Sequence, residues 1–328
     1  MEFLTAYGLF LVKLASVIIA ILVILMVCML LVAKTKNKLK GALTVQKLND
    51  KYEEYQDTLC HAVKNKHDLK TLSKLKKKTN KHKDKEKKRN VFVLNFHGDI
   101  KASAVAELRE EITAILTTAD EHDEVLVRLE SAGGLVNAYG LAASQLQRIK
   151  DAKIKLTIAV DKIAASGGYM MACVADHIIA APFAIIGSIG VLAQLPNFHR
   201  YLQQKLIDFE QLSAGEYKRT LSLFGENTDK GRHKMQQEIE ETHALFKAFI
   251  SQHRKQVDIN QVATGEYWLG THALDLKLID ALQTSDDYLL STSKTLNLFE
   301  IVYKTKKPFS KRLAGSAAHL YHKIFSLL

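Results

Sequence analysis

Ser166 lies in "AASGGYMMACVADHI", between two alanines and two glycines, and an apolar, helix-like run follows it. Neighbours this small fit a backbone turn with no room for larger side chains. A hydroxyl held at the start of a helix has a chemical use, because the unpaired N–H groups and the dipole of the helix tip favour an alkoxide. Ser166 therefore reads as a nucleophile. Two more glycine-marked turns accompany it: "RLESAGGLVNAYG", with Gly133 and Gly134, and "IIGSIGVL", with Ser188. Glycine lets backbone amides approach a ligand closely. Two such turns side by side aim N–H groups at one developing negative charge, which is what an oxyanion hole requires. Any one of these turns alone reads as packing of a helix against a strand. The three together, with a serine in the middle one, favour chemistry.

A serine nucleophile needs a base. Of the 13 histidines, His97 follows the first strand of the body and His177 follows Asp176 at a strand start. Both read more simply as surface or strand-end residues. A lysine can serve only if burial brings its pKa from about 10.4 toward neutrality. Most lysines here lie in charge runs. Lys218, in "QLSAGEYKRTLSLFGE", does not: it follows the strand-like "IDFEQL" and precedes the apolar "LSLFG". Taken alone, its simplest state is solvated.

The elements that must position these groups begin at Val91. "VFVLNF", "VLVRL" and "IKLTIAV" read as strands. Between them, Val105, Leu108, Ile112, Ile115 and Leu116 share one face of a helix over 103–118, and "NAYGLAASQLQRI" reads as another. Strand and helix in alternation predict crossover units and a largely parallel sheet. "FAIIGSIGVLAQL" is too short to cross a bilayer and holds two glycines, so it reads as buried strands and a turn.

The appendages differ in character. From Leu14 to Ala33 about 20 uncharged, mostly apolar residues form a stretch long enough to span a bilayer. No small-residue cleavage site follows it, so it reads as a retained anchor. The formal net charge is +11, yet Lys34–Arg89 alone holds 19 Lys/Arg against 7 Asp/Glu. The body is thus near neutral and carries no basic footprint for nucleic acid. Leu48, Tyr52, Tyr55, Leu59 and Val63 recur at helical spacing, predicting a helical stalk. "KLKKKTNKHKDKEKKRN" then reads as a solvated tether, with membrane lipid headgroups as the partner in the alternative reading. Lysines crowding the C-terminal side of the anchor lean the body toward the cytoplasm, with the periplasm as the alternative. Cys28, Cys60 and Cys173 are too dispersed for a disulfide framework or a metal site. The division is an anchor over 1–33, a basic stalk over 34–90, a catalytic domain over 91–305 and a basic amphipathic segment over 306–328.

"AASGGYMMACVADHI", "GSIGV" and "SAGEYKRTL", in that order and spacing, resemble the S49 family of membrane serine peptidases, the signal peptide peptidase A group. The resemblance extends through the anchor, "GLAASQLQR", "APFAI", "LPNF" and "GENT". It implies a ClpP/crotonase-type α/β fold with a mostly parallel sheet, Ser166 as nucleophile and Lys218 as general base. The oxyanion donors it implies are the amides of Gly167 and of either Gly133 or Gly134, with Ser188 orienting the lysine. It further implies no metal or cofactor, a single-pass place in the bacterial inner membrane and a homo-oligomeric ring. Its substrates would be peptides or proteins with small or apolar side chains, such as signal-peptide remnants or misfolded envelope proteins. One departure stands out: where the family has Ser-Pro-Gly-Gly, this chain has "SAGG", with Ala132 for proline. Two other readings stay open. A crotonase-like acyl-thioester enzyme would use the glycine turns without Ser166, and an anchored scaffold or quality-control adaptor would use none of them.

Overall fold

Strands buried on both faces should be apolar almost continuously, and those at the centre of this sheet are. The computed structural model describes residues 8–10, 12–24, 41–65, 67, 69 and 89–305. The chain divides into two units, one of Met1–Thr44 with Tyr303–Leu328 and one of Val45–Val302. In the first, residues 8–10 and 12–24 are helical. Among the described residues no helix is long and apolar enough to cross a membrane. Residues 25–33 of the expected anchor, Cys28, most of the polybasic tether and all of 306–328 lie outside the described residues.

The larger sheet is built from β1 (Ala42–Lys47), β2 (Asn90–His97), β3 (Glu124–Glu130), β4 (Lys155–Val160), β6 (His177–Ala180), β9 (Ala281–Leu282) and β10 (Asn297–Lys304). Their order is β1-β10-β2-β3-β4-β6-β9. Every pairing from β10 to β9 is parallel. Crossovers run through α2 (Val105–Leu116) and α3 (Val136–Asp151). The two faces of the sheet bury different sets. Phe92, Leu94 and Phe96 join Leu108, Ile112, Tyr139, Leu146 and Ile149 in the main core. Val91, Val93, Leu126 and Leu298 meet Leu48 and Leu289 on the other side. Those two come from α1 (Leu48–Val63) and α9 (Ser285–Thr292).

The start of α1 belongs to that second layer. The helix predicted over 48–63 is present, but its first turn is part of the fold. Leu48 is buried, and Asn49 caps the α9–β10 connection, donating to the Ser293 and Leu296 carbonyls and accepting from Leu298 N–H. Only from Tyr55 onward does the apolar stripe of α1 emerge into solvent. The compact unit containing this packing spans Val45–Val302; a sequence pattern shows a helix without showing what it packs on.

A smaller sheet carries the chemistry. β5 (Ile163–Ala165) pairs in parallel with β7 (Ile185–Gly187), which pairs antiparallel with β8 (Tyr267–Leu269). Ser131, just past β3, joins the two sheets: its N–H donates to Ile163 O at 2.9 Å and its carbonyl accepts from Ala165 N at 3.0 Å. Behind this junction lies α6 (Asp229–His253), which starts at the capping hydroxyl of Thr228 and buries Phe246 and Ile250. Its far end is fixed by Arg254, which is 3 % exposed and forks onto both carboxylate oxygens of Asp280 at 2.9 Å. Burial pushes the Asp280 carboxyl up, but the Arg254 hydrogen bonds and the Ile178 N–H outweigh it and hold the group below the usual carboxylate range.

The strand expected at "IDFEQL" is absent. From Val191 to Thr228 the only regular element is α5 (His199–Gln204). The segment holds itself together locally. Asn197 Nδ2 donates to the Ser222 and Gly225 carbonyls, Phe198 N–H donates to Leu223 O, and the Phe224 ring meets those of Phe198 and Phe209. No strand edge is offered to Ile207–Leu212, so their alternation of apolar and polar types has no sheet to pair with.

Candidate active site

Ser166 sits where β5 turns into the short α4 (Gly167–Ala172), as the residue before the first helical position. Its φ is +52° and its ψ −120°, a conformation that strains a residue bearing a Cβ. Its surroundings impose that conformation. Ser166 N–H donates to Gly187 O at 2.8 Å, and its carbonyl accepts from Met170 N at 2.9 Å. Beside it, at the end of β7, Ser188 has φ +50° and donates its own N–H to Glu266 O. Two serines thus stand side by side at the ends of two paired strands, both with backbones in the left-handed half of φ space.

The Gly133–Gly134 turn closes over this corner. Gly133 has φ +90°, and a Cβ on it would lie 2.7 Å from Gly167 N and 2.8 Å from Ser166 Cβ. Only glycine permits so close an approach. Gly133 N–H is committed to Ser131 Oγ at 3.1 Å. Among the described residues neither Gly134 N–H nor Gly167 N–H has an acceptor, and Gly167 opens its helix, where an amide has no partner within the helix. Of the two glycines the sequence left open, Gly134 is therefore the one with a free donor.

Ser166, Gly167, Gly133, Gly134 and Ser188 line one cavity of about 680 Å³. Its walls are mostly apolar: Ile100, Leu135, Met170, Leu192 and Phe246 among them. A groove of this kind accommodates apolar side chains beside a polar reacting centre.

The sixth predicted residue is elsewhere. Lys218 is exposed and is not among the residues lining the cavity. Its neighbours are tied to the first turns of α6: Glu216 pairs with Lys230, and the Tyr217 ring lies 5.9 Å from Lys230 Nζ and 5.6 Å from Lys234 Nζ. The same salt bridge lowers the Glu216 carboxyl and raises the Lys230 ammonium. The structure of the single chain thus brings five of the six predicted groups together and leaves the lysine in solvent. Neither histidine takes its place. His97 is 76 % exposed beside Glu130 and lines a separate cavity of about 380 Å³, while His177 stands 3.8 Å from Asp280. Cys173, the residue after α4, is fully buried, and burial raises its thiol well above the ordinary range.

Sequence reasoning missed Ser131 and Tyr139, which lie beneath the glycine turn, and Phe246, which walls the cavity. Tyr139 shares its helical face with Ala142, Ala143, Leu146 and Ile149, so in the sequence it reads as ordinary core.

The profile of the N-terminal part of peptidase family S49 matches residues 2–146, and that of peptidase family S49 itself matches 148–298. A protein of Haemophilus influenzae described as a probable protease SohB is 46 % identical over 341 residues, spanning 98 % of this chain and 96 % of its own length. A probable protease SohB of Buchnera aphidicola from Acyrthosiphon pisum is 54 % identical over 235 residues, covering 72 % of this chain and 70 % of that one. Among solved structures, a mutant of the 1510-N membrane-bound stomatin-specific protease aligns with 63 % of this chain and 85 % of its own, at 17 % identity and a TM-score of 0.43. The family rests instead on the sequence relatives, whose likeness runs the length of the fold just described: this chain belongs to peptidase family S49 and is a serine peptidase.

Proposed function

We propose that this protein is a membrane-anchored endopeptidase with Ser166 as nucleophile and Lys218 as general base. Neutral Lys218 takes the Ser166 proton as Oγ attacks the scissile carbonyl carbon, and the carbonyl oxygen becomes an oxyanion held by Gly134 and Gly167 N–H. The ammonium of Lys218 then protonates the leaving amine, which departs as the acyl-enzyme forms. Water, deprotonated by the same lysine, attacks the ester carbon, and Ser166 leaves with the proton returned to it.

One observation carries this reading: Ser166 is held against its backbone preference at the start of a helix, and it lines one cavity with Gly134 and Gly167, whose amides have no acceptor among the described residues. The apolar cavity walls favour peptides with small or apolar side chains. Lys218 meets Ser166 only when the exposed 191–228 segment is covered, and that segment presents Leu206 at 94 % and Leu212 at 97 % exposure. Apolar groups so bare favour burial against other copies of the chain. A homo-oligomer, as expected for a ring-forming peptidase, is thus part of the proposal: assembly takes Lys218 out of water and brings it to a Ser166. Ser188, adjacent to Ser166, would orient the arriving ammonium or amine. The anchor over 14–33 and a place in the bacterial inner membrane complete the reading, on the strength of the apolar run in the sequence.

The test is covalent. A fluorophosphonate should label Ser166 in the assembled protein, and both Ser166→Ala and Lys218→Ala should abolish hydrolysis of a short Ala- and Leu-containing fluorogenic peptide. Full turnover by the Lys218→Ala protein would overturn the dyad. Labelling of a different residue would overturn the nucleophile.

A further inference from the structure

Beneath the two free amides runs a chain of buried hydroxyls whose direction is fixed by chemistry. The Asp99 carbonyl can only accept, so Tyr139 Oη, 2.8 Å away, donates to it. Ser131 Oγ lies 2.6 Å from Tyr139 Oη, and with the phenol proton committed, the serine hydroxyl is the donor. Gly133 N–H donates to Ser131 Oγ in turn, at 3.1 Å. Three donations run one way, from the glycine turn to a fixed carbonyl. Tyr139 and Ser131 are both buried, and burial raises the Tyr139 phenol, keeping it protonated and able to donate.

The chain joins segments far apart in sequence: residues 98–100 past the end of β2, 131–134 past the end of β3, and α3. Packing around it is tight enough to leave no slack. A Cβ on Gly98 would come within 2.2 Å of Ser131 Oγ and 2.4 Å of Tyr139 Oη. A Cβ on Gly134 would meet Ile100 O at 2.2 Å, and Leu135 N–H donates to that same carbonyl at 2.8 Å. Tyr139 also supports the second amide. A Cβ on Gly167 would lie 2.4 Å from Tyr139 Cγ, so the ring is the floor on which the start of α4 rests. One side chain therefore governs both donors: its hydroxyl holds the turn that carries Gly134, and its ring holds Gly167.

We infer that Tyr139, acting with Ser131, is a positioning residue that sets the spacing and aim of the Gly134 and Gly167 N–H groups. The inference rests on the serine-peptidase reading of the cavity and deepens it. Neither hydroxyl touches the substrate or moves its proton. Their effect falls on the tetrahedral oxygen, which meets both amides only in the transition state, so it should appear in kcat and not in KM.

The experiment uses the full chain, with the fraction of reactive Ser166 titrated by a fluorophosphonate and turnover read on the fluorogenic peptide. Tyr139→Phe and Ser131→Ala should each lower kcat about 10- to 100-fold with KM changed less than about twofold. The double variant should be no worse than the weaker of the two, because both break one chain. Unchanged kcat in a variant that labels normally overturns the positioning role, as does a loss confined to KM or a double variant whose loss is the product of the singles. If wild-type protein does not label at Ser166, the serine reading fails and the inference fails with it, a result distinct from all of these. Should one variant unfold below the assay temperature, the other decides, since each removes a link from the same relay.

Discussion

Ser166 and Lys218 stand in regions built on opposite principles. Ser166 is fixed by hydrogen bonds to the end of one strand and from one helix, and a Cβ on Gly133 in the turn above it would have no space. Lys218 lies in a segment held by its own turns and a few ring contacts, with its largest apolar side chains facing water. The first region is finished within one chain. The second leaves its leucines and its lysine exposed in the single chain, and the proposed assembly would cover them. Under the proposed dyad, a site divided in this way would tie catalysis to assembly, because a general-base lysine has to be desolvated to accept the serine proton.

Replacing the lysine tests the sharpest part of that contrast. Lys218→Arg keeps a cation that cannot deprotonate, so kcat on the fluorogenic peptide should fall by at least about 10³-fold while the unfolding temperature stays unchanged. Retained turnover in this variant would mean that the exposed region contributes no base. Next comes the surface around it. Leu206→Asp with Leu212→Asp should convert the assembly to monomers in light scattering and lower peptidase activity more than about 10-fold, with no change in the unfolding midpoint of the monomer. Full activity as a monomer would break the link between the two regions.

Glycine substitutions contrast the two regions in stability. Gly168→Ala puts a Cβ 2.4 Å from the Ser131 carbonyl, against backbone that cannot give way, and should cost about 2–3 kcal/mol in chemical denaturation. Gly215→Ala, in the exposed segment, meets nothing within 4 Å and carries only the strain of φ +94°. It should cost no more than about 1 kcal/mol, felt locally and scarcely at all in global unfolding. The smallest effect has the opposite sign. Ser166→Gly relieves a positive φ and should stabilise the chain by about 1 kcal/mol while abolishing hydrolysis. A destabilised Ser166→Gly protein would show that the Ser166 backbone is not strained.

The strands at 90–97, 124–130 and 155–160 and the helices between them were legible because burial on both faces leaves continuous apolar runs and one-sided burial leaves a helical stripe. Ser166 was legible because small residues crowd it. Tyr139 was hidden, since a buried phenol in an apolar helix face gives no sign of what its hydroxyl reaches. The packing of Leu48 and Asn49 onto the sheet was hidden as well, because it depends on partners some 250 residues away in the chain. "IDFEQL" misled for the converse reason: its alternation is real, but no strand edge receives it.

By itself, then, the sequence determined which groups are present and the local form of most elements, through residue size, periodicity and glycine content. It also determined the distribution of charge, with the basic excess confined to 34–89. Tertiary structure decided which of two adjacent glycines has a free amide, because that depends on where a serine from the same turn directs its oxygen. It decided that two serines in separate turns stand together, through the pairing of β5 with β7. It also left Lys218 in water within the single chain, since burial is a property of what packs around a side chain and not of the residues beside it in sequence.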